Sequence, residues 1–203
     1  MPTAVPGIAA QAELDTAALP ARERILRKAH DLFYREGIRA TGIDRVISES
    51  GVSKVTLYRH FPSKNELVLA FLDDRHRRWM AWFRPALARH GGRLESLPAV
   101  LAEWFRSPVY RGCAFINSVG ELGDTQPQVR EIARRHKQDM CDAIAELLPP
   151  SRHRKLDAQA IALAVDGAIV RAQADPTPEA ALRALTRLLR GWSQGAEAET
   201  AAS

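Results

Sequence analysis

Apolar positions fall at helical spacing almost from the point where the chain becomes regular. Ile25, Ala29, Leu32 and Phe33 sit at i, i+4, i+7 and i+8, one stripe of an α-helix, and Gly37 supplies a C-terminal stop. Thr41-Gly-Ile-Asp44 puts a hydroxyl at a capping position and an acid three residues on, a capping-box-like start for a short helix carrying Ile43, Val46 and Ile47 that Gly51 ends. Ser53 is placed to cap another short helix, with Val55, Leu57, Tyr58 and Phe61, which Pro62 closes. Ser63-Lys-Asn-Glu66 is a second capping box, opening a long helix with Leu67, Phe71 and Leu72 on its first turns.

Beyond it, Gly91-Gly92, Pro98, Ser107-Pro108, Gly123 to Pro127, Pro149-Pro150 and Asp175 to Pro178 punctuate intervals long enough for helices. Two are strongly periodic, with Ile161, Val165, Ala168 and Ile169 along one and Leu182, Leu185, Leu189 and Trp192 along the other. Nowhere does a strand-like alternation of Val, Ile and Thr appear, and there is no internal repeat. The pattern predicts an all-α protein.

Composition sharpens this picture in a few places. The 203 residues suffice for one sizeable core, or for a small domain joined to a larger one, without disulfide or metal staples. Cys113 and Cys141 lie far apart with no CxxC and no partnering histidine pair, so neither a disulfide framework nor a structural zinc site is expected, and a reducing cytoplasm fits. No apolar run approaches the roughly 20 residues that cross a bilayer. Residues 1–20, rich in Ala, Pro and Thr, and 194–203, small and polar, read as mobile tails.

Charge becomes informative once it is located. Residues 21–64 carry ten Lys or Arg against five acids, which accounts for the whole net charge of +5. That excess coincides with IDRVISESGVSKVTLYRHF, which has the layout of a helix-turn-helix: short helix, glycine turn, short helix. Val46, Val52 and Leu57 can meet in its core, leaving Ser53, Lys54, Thr56, Arg59 and His60 outward. These are hydrogen-bond donors, two of them cationic, as a helix in the major groove requires. Lys64, in the first turn of the next helix, suits a phosphate, as do Thr41 and Gly42 at the start of the preceding one. A glycine between two short helices is otherwise an ordinary helical hairpin.

The segment ATGIDRVISESGVSKVTLYRHFPSKNELVLAFL, together with the amphipathic helix ending in Gly37, resembles the DNA-binding domain of TetR-type repressors over roughly residues 21–72. The resemblance implies that Thr41, Ser53, Lys54, Thr56, Tyr58, Arg59, His60 and Lys64 contact operator DNA, Tyr58 through a phosphate. Val55 stands where the family often has Gly, and Ile47 where it often has Ala. The implied organisation is a helix-turn-helix DNA-binding domain over 21–65 and a larger helical ligand-binding and dimerisation domain over 66–193.

Within the larger part, Trp79, Trp82, Phe83, Trp104, Phe105, Tyr110 and Phe115 concentrate the rings of a chain poor in them. The stretch from Tyr110 to Glu121 resembles an RGC-F-N segment that lines the effector pocket in many relatives. By that resemblance Trp82, Trp104, Phe105, Cys113, Phe115, Asn117 and Glu121 are pocket candidates for a small, largely apolar effector, with Asn117 and Glu121 as the polar specificity groups. Core packing, or a solvated face, competes at each of these positions, and for Cys113 an inert buried thiol competes with a reactive one.

The family's homodimer further implies that Ile161, Val165, Ala168, Leu182, Leu185, Leu189 and Trp192 meet their twins in a four-helix bundle, although some of them would also satisfy burial within one subunit. Such a dimer would bind a roughly palindromic, double-stranded operator. The histidines show no metal spacing, and no GxSxG, P-loop or dinucleotide motif is present, so neither an enzyme nor a cofactor is expected. A larger domain that binds a protein partner instead of a small molecule remains the alternative.

Overall fold

The protein is described here by a computed structural model over residues 19–201, with side chains described as far as Gln194. The tail expected at 1–20 lies almost wholly outside the described residues, as do 202–203. Among the described residues there are nine α-helices and no strand. They are α1 (Ala21–Glu36), α2 (Ile43–Ser50), α3 (Lys54–His60), α4 (Lys64–Arg89), α5 (Leu97–Phe105), α6 (Ala114–Leu122), α7 (Pro127–Ala145), α8 (Arg154–Ala174) and α9 (Glu179–Ala201), with a 3-10 turn at Leu94–Ser96. None of these is long and apolar enough to cross a membrane. The last helix continues past residue 194, where a tail was expected. Its Ala- and Glu-rich end needs no apolar face to extend a helix already nucleated.

The described residues form two compact units, 19–79 with 113–136 and 80–112 with 137–201. In the first, α1 packs on α2 and α3, and α2 packs on α3. Ile25, Val46, Leu57, Leu67 and Phe71 are sealed from solvent, and Phe33 meets Phe71 edge-on at 5.6 Å between ring centres. Each such side chain contributes about 1.5–3 kcal/mol of burial. The first unit therefore holds more than the three-helix module, because α6 and the start of α7 belong to it.

In the second unit α9 packs along α8 and on α5. Tyr110 seats between Trp104 and Phe105, at 5.1 and 5.2 Å between ring centres, and donates its hydroxyl to the Ile169 carbonyl oxygen at 2.7 Å. Gly112 adopts φ +78°, and a Cβ there would stand 1.9 Å from Gln173 Oε1. Its left-handed conformation favours glycine at that point of the Arg-Gly-Cys segment, whereas the Gln173 amide, at the end of a flexible side chain, can move aside.

Most residues expected at a dimer interface turn to the chain's own core, the alternative their spacing had left open. Ile161, Val165, Ala168, Leu182, Leu185 and Leu189 are buried inside the chain, and Trp192 is half-buried. Their spacing marks the stripe that faces the chain's own core; helical periodicity finds an apolar stripe without saying what covers it. The apolar residues left outside are Leu156, Leu163 and Val170 on α8, seven apart, and Leu188 on α9.

Candidate nucleic-acid interface

The turn between α2 and α3 is built as its residue types demand. Gly51 takes the left-handed conformation, φ +63° and ψ +34°, and its N–H returns to the Ile47 and Ser48 carbonyls. The Ser50 hydroxyl donates to the Val46 carbonyl at 2.6 Å, while Arg24 of α1 donates its Nε to the Ser50 carbonyl at 3.2 Å. A cation thus serves carbonyls that the end of α2 leaves without intrahelical partners. Sequence reading gave Arg24 no role beyond its charge.

Ser53 caps α3: its Oγ accepts the Thr56 N–H at 3.1 Å and shares a hydrogen bond with the Thr56 hydroxyl at 2.8 Å. Leu57 is fully buried, which fixes the rotation of the helix about its own axis. The outward face then carries Ser53, Lys54, Val55, Tyr58 and Arg59, with Tyr58 38% exposed and Val55 78% exposed. Lys54 lies 3.7 Å from Asp44 in full solvent, a contact worth little and easily exchanged for a phosphate. Val55 thus adds a methyl-bearing surface to that outward face, where the resembling family often has Gly.

Other candidates are placed differently. Thr41 is fully buried, and its hydroxyl donates to the Gly37 carbonyl at 2.8 Å, so the capping box expected there does not form. Gly42 is the residue that precedes α2, with no side-chain cap, because the threonine found a nearer acceptor. Gly42 is exposed, and a Cβ there would meet open space. His60 is half-buried, lining a groove of about 760 Å³ with Arg22, Phe61 and Glu66. Arg22 stacks over Phe61 at 5.2 Å.

Ser63 accepts the Glu66 N–H at 3.1 Å, one half of the expected capping box. Lys64 is half-buried in the first turn of α4. Its ammonium is held below the ordinary lysine range by partial desolvation, which the Glu121 carboxylate opposes.

Of the residues assigned to an effector pocket, Cys113, Phe115, Asn117 and Glu121 belong to the first unit and Trp82, Trp104 and Phe105 to the second. Phe115 stacks on His136 at 3.7 Å, and Cys113 is a buried free thiol at the start of α6. Asn117 and Glu121 are half-buried. The Glu121 carboxylate accepts the backbone N–H groups of Ile38 at 3.1 Å and Arg39 at 2.7 Å, bracing the α1–α2 connection from α6. That contact spans 83 residues, so no local signal announces it.

Known proteins place these features in context. Residues 25–71 match the family described as bacterial regulatory proteins, tetR family. The chain is 31% identical to the HTH-type transcriptional activator FasR of Mycolicibacterium smegmatis over 153 residues, 72% of this chain and 70% of that one. It is 34% identical to the HTH-type transcriptional regulator UidR of Escherichia coli strain K12 over 144 residues, 70% and 71% of the two chains. The crystal structure of a TetR-family transcriptional regulator from Streptomyces coelicolor superposes with a TM-score of 0.74 at 31% identity, covering 84% of this chain and 93% of that one.

The chain therefore belongs to the TetR family. It is a DNA-binding transcriptional regulator rather than an enzyme.

Proposed function

We propose that the protein is a repressor that holds a palindromic operator as a homodimer and lets go when a small, largely apolar effector binds. The observation that carries the DNA-binding half is the register of α3. Leu57 turned fully inward leaves Lys54, Tyr58 and Arg59 on one exposed face, beside a helix start capped by Ser53. An α-helix presenting donors in this way suits the acceptor-rich edges and phosphates of the major groove. Arg59 reads a base edge; Lys54, Tyr58 and Lys64, with the backbone at Gly42, engage phosphates; Ser53, Thr56 and His60 lie at the margin of the footprint. Thr41 acts indirectly, by shaping the turn before α2.

The homodimer forms through the outward stripe of α8, Leu156, Leu163 and Val170, joined by Leu188 of α9. These residues recur once per two turns and lack cover from their own chain. A two-fold axis at this face repeats α3, with the two copies reading major grooves about 34–36 Å apart. Effector binding shifts the population toward a conformer with less DNA affinity, by as much as the effector's preference between the two states.

Deleting the gene in its host tests the sign of regulation. Expression of genes beside the mapped binding sites rises if the protein represses. A fall contradicts repression and fits activation, the activity in FasR's name.

A further inference from the structure

Arg75 is a buried cation without an anion. It lies on α4, 2% exposed, and one of its terminal nitrogens, Nη2, is sealed from solvent with no hydrogen-bond partner among the described residues. The other, Nη1, donates to His30 Nε2 at 3.4 Å, and the guanidinium carbon lies 4.3 Å from the centre of the Tyr34 ring, whose side chain also hydrogen-bonds the guanidinium. The nearest carboxylate in sequence, Asp74, is taken by Arg77 and Arg78. The ionisable groups that act on Arg75 are Tyr34, Cys113 and Arg78: a phenol, a thiol and a second cation. His30 cannot add charge, since burial holds its imidazole below its ordinary range.

A charge sealed without a counter-ion is costly, a burden no packing role requires of an arginine. Burial accordingly pushes the guanidinium below its usual range. We infer that Arg75, flanked by Tyr34 and His30, is the seat for the carboxylate of an effector with an apolar body.

One unpaired cation calls for a monoanion, since Arg78 is already paired with Asp74, and the buried rings of Tyr34 and Phe71, the latter 5.3 Å from His30, make the surroundings apolar. The seat joins α1 to α4, so a carboxylate bound there acts on the helix that supports α3. This assignment rests on the effector reading proposed above and names the chemistry of the effector.

The test is calorimetric titration of the full-length protein with octanoate and benzoate, and with octanamide and benzamide as uncharged counterparts. The carboxylates bind and the amides do not. Arg75→Met loses roughly 30-fold or more in carboxylate affinity, and Arg75→Lys falls between. Without ligand, Arg75→Met melts no lower than the parent, because it removes an unpaired charge.

Equal binding of acid and amide, or of acid by parent and Arg75→Met, overturns the inference, as does failure of both acids to bind. Should Arg75→Met fold poorly, the parent's acid-against-amide comparison and Arg75→Lys decide. Rapid alkylation of Cys113 by iodoacetamide in mildly acidic buffer, slowed by Arg75→Met, also overturns it, because the counter-ion is then the thiolate. Carboxylate binding that leaves operator affinity unchanged refutes effector release and spares the seat. Operator binding with no carboxylate binding does the reverse.

Discussion

Arg59 and Gly51 sit eight positions apart and test different things. Arg59 is exposed on α3, so Arg59→Ala leaves the fold intact and weakens specific DNA binding by about 1–3 kcal/mol, read by fluorescence anisotropy on a selected duplex. If the loss is the same on unrelated sequences, the side chain touches phosphate and not a base. Gly51 holds φ +63° with open space around it, so Gly51→Ala costs only backbone strain, about 1–2 kcal/mol in urea denaturation. Unchanged stability would mean that the turn is not left-handed.

His30 carries a pH signature. Its folded-state imidazole titrates below the ordinary 6.5, because burial disfavours the charged ring more than the nearby Asp31 favours it. The unfolded chain therefore takes up the proton first on acidification. Stability tied to His30 is whole above pH 6.5 and drains as pH falls through that value toward the folded one. The urea midpoint of His30→Gln falls less steeply over that interval than the parent's, and parallel curves would contradict the assignment.

Residue-scale legibility followed distance along the chain. Gly51, Ser53 and Ser63 act on neighbours three or four positions away, and their roles were readable. Thr41 was misread because its hydroxyl had a carbonyl four residues back as well as the helix start ahead. Arg75 was invisible, since a run such as Asp-Asp-Arg-His-Arg-Arg looks the same whether one member points inward or all are solvated.

Between elements, the decisive contact runs from α6 to the α1–α2 connection through Glu121. Glu121→Ala leaves the Ile38 and Arg39 N–H groups without their charged acceptor, and it destabilises the protein by roughly 1–3 kcal/mol in urea denaturation. No loss would reduce the contact to an exposed pairing. The segment Glu121 occupies suggests an effector-specificity group, and its contacts to the Ile38 and Arg39 N–H groups lie too far off in sequence for that segment to reveal.

The helices α8 and α9 illustrate a different limit. Their existence was plain from periodicity, yet each carries one apolar stripe toward its own chain and further apolar residues outside, and spacing alone gave the inner set. The outer set makes a sharp prediction. Leu163, 73% exposed, can become Arg without disturbing its own subunit, and Leu163→Arg sediments as a monomer with unchanged helix content. A dimer that persists would remove α8 from the interface.

Across the whole molecule, the chain divides into two compact units, and the one containing α1 to α3 also takes in α6 and the start of α7. That arrangement puts Glu121, Arg75 and α3 in one compact unit. The class of protein was legible because the helix-turn-helix is a local device with fixed residue requirements. The Arg75 cluster was not, because its side chains come from α1 and α4 and converge only in the folded chain.

The most direct measurement is selection of duplexes from a random library by the purified protein, followed by sequencing. The account predicts an enriched inverted repeat whose half-site centres lie about 10–10.5 base pairs, or a multiple of that, apart. Arg59→Ala should relax selection at one position of each half-site. Recovery of no motif, or of an asymmetric one indifferent to Arg59, would contradict a paired α3 in the major groove.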